Sequence, residues 1–154
     1  MQTAGRAGGD RAPCRPEEVR ADFGRLGGYL ADVDLPPEAA ARLGGLTGLL
    51  GALLEPGWVA EALAQDPEGV HTVSRAVRQD IPEAVDAFVR TRWWTRLAPG
   101  TEPPERHLER QLDLLRQEAE RLAAELGEAE ARRQESHTRY LEDRSGTGDG
   151  ELSA

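Results

Sequence analysis

Apolar positions in this chain recur at helical spacing almost from end to end. Between Glu105 and Arg144, Leu108, Leu112, Leu115, Ala119, Leu122, Leu126 and Ala129 follow one another at alternating intervals of four and three. That rhythm keeps them on one narrow stripe, the seam of a coiled coil or of a long hairpin helix. The stretch contains no proline and a single glycine, Gly127. It predicts one helix over 105–144, about 60 Å long. A narrow leucine stripe is buried against another helix, in the same chain or in a second one. With Leu112 at position a, Glu125 falls at g and Glu130 at the following e, and these repel in a parallel homodimer. Arg133 and Ser136 then occupy seam positions, so the stripe fades after Ala129. Antiparallel or intrachain packing fits this pattern better than a parallel zipper.

The preceding part of the chain repeats the pattern in shorter pieces. Val19, Phe23, Leu26, Leu30 and Val33 share the four-three spacing, which makes this first helix the expected intrachain partner of the seam. Pro16 suits the first turn of that helix, and Glu17 and Glu18 favour its dipole. A second helix follows Pro36-Pro37 and stops at Pro56, with Leu43, Leu46, Leu50, Leu53 and Leu54 on its apolar face. Gly44 and Gly48 match a small-xxx-small spacing and predict close helix packing. Trp58 to Ala64 is long enough for two turns. Asp66-Pro67-Glu68 and Asp80-Ile81-Pro82-Glu83 both read as helix starts, the second with Asp80 as N-cap and Glu83 in the capping-box position. The helix opened at Asp80 is expected to turn Ile81, Val85, Phe88, Val89 and Trp93 inward. No sustained alternation competes anywhere, so the fold class is all-α.

These elements divide the chain into a disordered N-terminal tail (1–15), a helical bundle (16–97), a Pro-rich linker (98–104), the long helix (105–144) and a disordered tail (145–154). The whole is expected to be an elongated bundle with a long, coiled-coil-like C-terminal helix. Composition agrees with a modest core: of 154 residues, 38% are hydrophobic and 31% charged. The net charge of -9 argues against nonspecific nucleic-acid binding and against an anionic membrane. One cysteine, Cys14, leaves no intrachain disulfide. The N-terminus has no apolar h-region and no run of 18 apolar residues exists, so a cytoplasmic protein is expected.

Candidate chemistry is sparse. His71, His107 and His137 are isolated, with no metal-ligand spacing, and no serine lies in a nucleophile elbow. The Gly-rich run 44–51 lacks the lysine and the preceding strand that a phosphate loop needs. No catalytic, cofactor or metal residue is assigned. The candidate contact residues are Leu108, Leu112, Leu115, Leu122 and Leu126 of the seam and Trp94 in the Arg-Trp run 90–96. The function expected from these features is a non-enzymatic interaction or scaffold protein, pairing with a partner or a second copy through the long helix. A peripheral membrane protein using the Gly/Leu-rich segment 43–58 is the alternative.

The order of a helix, an Ile-Pro junction and a second helix over 70–90, followed by Leu108, Gln111, Leu112 and Leu115, resembles the helical region of bacterial 5-bromo-4-chloroindolyl phosphate hydrolysis proteins, which often occur with toxic-anion-resistance proteins. The resemblance implies a small helical accessory protein. It brings no catalytic motif to this chain.

Overall fold

The described residues, 14–98, 100 and 102–153 of the computed structural model, form six α-helices and one π-turn and no strand. Helix α1 spans Pro16–Ala31 and α2 spans Pro37–Leu54, each with proline in its first turn and glutamate beside it. Val19 and Leu26 of α1 and Leu43, Leu46, Leu50, Leu53 and Leu54 of α2 are buried. Arg20 Nε donates to the Leu54 carbonyl at 2.6 Å, which satisfies one of the acceptors that the end of α2 leaves open. Gly57, at φ 143°, turns the chain into α3, Trp58–Ala64, whose axis lies 86° from that of α2. Only glycine adopts that backbone readily. Gly44 and Gly48 of α2 do not show the close packing expected of them, whereas Gly51 faces the Phe23 ring of α1. A methyl at Gly44 or Gly48 meets nothing within 4 Å, so no second helix presses on that pair.

Helix α4, Pro67–Arg75, begins as its sequence predicts: the Asp66 carboxylate accepts the Gly69 N–H at 3.1 Å. The second start signal behaves otherwise. Asp80 is helical and caps nothing. The chain instead passes from α4 into α5, Ile81–Thr95, through a π-turn over Ala76–Asp80, in which Ile81 N–H donates to the Ala76 carbonyl five residues back. Pro82 supplies the reason. A proline in a continuing helix lacks a donor and clashes with the carbonyl four residues earlier. A widened turn relieves both problems without ending the helix.

Ile81, Ala84, Val85 and Phe88 form the buried face of α5. Val89 and Trp93, expected inward, are exposed. Each step of four residues advances about 40° around an α-helix, so the series 81, 85, 89, 93 ends roughly 120° from where it began. The 81, 84, 85, 88 set stays on one side.

Helix α6 spans Pro104–Ser153. It continues through the segment expected to be a tail from 145 onward; no proline follows Pro104, and single glycines cost a helix only about 1 kcal/mol each. The expected N-terminal tail lies outside the described residues except for Cys14 and Arg15. Cys14 is half-buried, and its thiol faces the buried Ser74 hydroxyl at 3.8 Å. The chain forms two units, residues 1–120 and 121–154, divided within α6. The first holds α1 to α5 and the start of α6. In the second, Leu122 is buried, Leu126 and Ala129 are half-buried, and every residue from Ala131 to Gly146 is exposed.

Candidate interaction surface

The leucine seam is largely occupied. Leu108 and Leu112 in the first unit are buried and Leu115 is half-buried. Ion pairs on both flanks hold this part of α6 in place. Arg42 of α2 bonds Asp113 and lies 3.8 Å from Glu109. Arg75 of α4 reaches both carboxylate oxygens of Glu118 at 3.2 Å and Asp80 across the π-turn at 3.4 Å. The ion pairs of residues 104–120 to the bundle therefore run to α2 and α4, not to the first helix that the sequence pointed to. Among the described residues, Leu114 is the exposed leucine of this segment. It sits off the four-three stripe, and that offset is the signal that marks it.

Trp94 is the sequence-predicted contact residue that the fold leaves accessible. It is 62% exposed, Trp93 is 55% exposed, and the two rings meet edge-to-face with centroids 5.1 Å apart. Leu97, one turn on, is also exposed. The last turn of α5 holds this group in place: the N–H groups of Leu97 and Ala98 donate to the Trp94 carbonyl, each at 3.0 Å. Arg92 helps to fasten that end. Its Nη1 donates to the Asp34 carbonyl at 3.0 Å, and its guanidinium lies 5.0 Å from the Phe88 ring centroid. Arg90 and Arg96, on either side of the tryptophans, form no ion pair with a carboxylate among the described residues.

The same helix borders a groove. Asp80, Glu83, Ala84, Ala87 and Arg90 of the π-turn and α5 face Gln111, Leu114 and Leu115 of α6 across an open space of about 730 Å³. Farther along the same two helices, Phe88 and Thr91 face Pro104, His107 and Leu108 around a smaller space of about 200 Å³. Ala87, Arg90 and Trp94 are spaced i, i+3, i+7, so the tryptophan continues the groove-lining stripe of α5.

Tyr29 donates its hydroxyl to Asp86, one turn from the groove-lining Arg90 on α5. That bond, then burial and the Asp86 charge, push the phenol up to about 12. The contact holds α1 against α5. The Gly/Leu-rich segment behind the membrane alternative turns its leucines inward. No single described helix is long and apolar enough to cross a membrane, although α2 and α3 pass that test as a bent pair. Among the described residues, no three His, Cys, Asp or Glu side chains gather as a metal site. No family model, curated protein or solved structure matches the chain.

Proposed function

We propose that this chain is a helical interaction protein that engages a protein partner through the exposed end of α5. The observation that carries this reading is the pair Trp93–Trp94, more than half exposed and stacked edge-to-face, beside Arg90 and Arg96, which form no ion pair with a carboxylate among the described residues. Tryptophan and arginine are the residue types that most often dominate binding energy at protein interfaces. Large rings on a helix end lose little conformational entropy on binding, because few torsions remain to be fixed. The seam leucines of the first unit, Leu108, Leu112 and Leu115, then have an internal role in this reading, as a covering of the bundle, and the contact surface lies beside them.

The test is affinity capture from the native host with the wild-type chain and with the Trp93→Ala/Trp94→Ala variant. Both tryptophans are exposed, so the variant is expected to melt like the wild type and to lose the captured protein. Retention of the same partner by a folded double variant would overturn the reading.

A further inference from the structure

The groove between α5 and α6 carries charges in an arrangement that is complementary to itself. Glu83 and Arg90 lie seven residues apart, nearly two full turns, and so share one face about 10 Å apart along the axis. Ala87 lies between them, and all three line the groove. Neither charge has an ion-pair partner among the described residues, and the Arg90 charge also reaches the Tyr29 phenol. Leu114, 54% exposed, adds apolar surface to the opposite wall.

We propose that the occupant of this groove is α5 of a second copy, related by a two-fold axis that passes beside Ala87. In an antiparallel pair with that axis, Glu83 of each copy faces Arg90 of the other, and both ion pairs form at once. A two-fold contact requires one patch to complement itself, and opposite charges placed equally on either side of a small residue meet that requirement. Ala87 lets the two helix axes approach, and each copy covers the Leu114 of its mate. The net charge of -9 opposes association in general, so local complementarity of this kind has to overcome it. The proposal rests on the interaction role argued above and adds the identity of one partner, a second copy, at a surface next to the tryptophan pair.

Sedimentation velocity on the full chain between about 1 and 100 µM, the range in which modest interfaces associate, is expected to show a monomer–dimer equilibrium. Glu83→Arg alone and Arg90→Glu alone each set like charges against one another and are expected to weaken dimerisation at least about tenfold. Mixing the two single variants brings opposite charges together again and is expected to restore dimers near wild-type strength. Circular dichroism melts on each variant confirm that the monomer is folded. A wild-type chain that stays monomeric, single variants that dimerise normally, or a mixture that fails to recover would each overturn the proposal. None of these results bears on capture by the tryptophan pair, so the two readings fail separately.

Discussion

Arg78 in the π-turn donates from Nε to Oδ2 of Asp22 in α1, 56 residues earlier in the chain. The bond ties the irregular turn to the first helix. Asp22 also accepts from Arg25. The Arg78 hydrogen bond, working against burial and aided by Arg25, holds the Asp22 carboxyl below its ordinary value. A depressed folded value means stability that is present above the unfolded pKa, near 3.8, and lost as pH falls through the folded one. Asp22→Asn is therefore expected to cost about 0.5–1 kcal/mol at neutral pH, with the difference from wild type closing in acid. Urea unfolding near neutrality and below pH 3.8 measures it; a gap that persists in acid removes the charge from the explanation.

Phe88 and the tryptophans separate core from surface on one helix. Phe88 is 3% exposed, and Phe88→Ala is expected to destabilise by about 3–5 kcal/mol. Trp93→Ala and Trp94→Ala are expected to cost less than about 1 kcal/mol each, because most of each ring is already in water. Denaturant titration of the three variants checks the order. A tryptophan loss as large as that of Phe88 would mean the end of α5 is packed.

Two glycines are expected to respond with opposite signs. Gly48→Ala places its methyl in open space within α2 and should stabilise by about 0.5–1 kcal/mol, the ordinary gain of alanine over glycine in a helix. Gly57→Ala forces a side chain onto a backbone at φ 143° and should destabilise by about 1–3 kcal/mol. Thermal melts of the two variants in parallel decide it, and a shift in the same direction for both would contradict the geometry.

Truncation after Arg132 is expected to leave the melting temperature unchanged, since every described side chain from Ala131 to Gly146 is exposed. Leu112→Ala, at a fully buried position, should cost about 2–5 kcal/mol. An early melt for the truncated chain would show that the terminal part of α6 supports the fold.

The features legible in the sequence were those set by neighbours along the chain. Asp66 caps α4 through Gly69, three residues away, and the four-three leucines of α6 fall buried or half-buried as their spacing predicts. What the sequence hid depends on distance or on accumulated rotation. Arg42 and Asp113 are 71 residues apart, and nothing local in either segment announces their pairing. Trp93 was misread because a series of fours drifts around the helix while still looking periodic on paper. Asp80 was misread as a cap because its start signal is real, yet Pro82 is accommodated by widening the helix instead of beginning a new one. Glu83 and Arg90 were visible only as two more surface charges until the fold set them along one groove.

The π-turn also bears on how this chain can tolerate changes in length. A π-turn is equivalent to one residue inserted into an α-helix, so Ala76–Asp80 absorbs a one-residue frame shift between α4 and α5. Deleting the exposed Gln79 while replacing Pro82 with alanine would remove the surplus residue together with the reason for it. The two helices would then run on as one α-helix, with Ile81, Val85 and Phe88 still facing the core. A single-residue deletion in the middle of α2 has no such reserve: it turns every later side chain by about 100° and carries Leu50, Leu53 and Leu54 out of the bundle. Among the described residues, Ala76–Asp80 is thus a place where the reading frame can slip with the core face kept, and the middle of α2 is a place where it cannot.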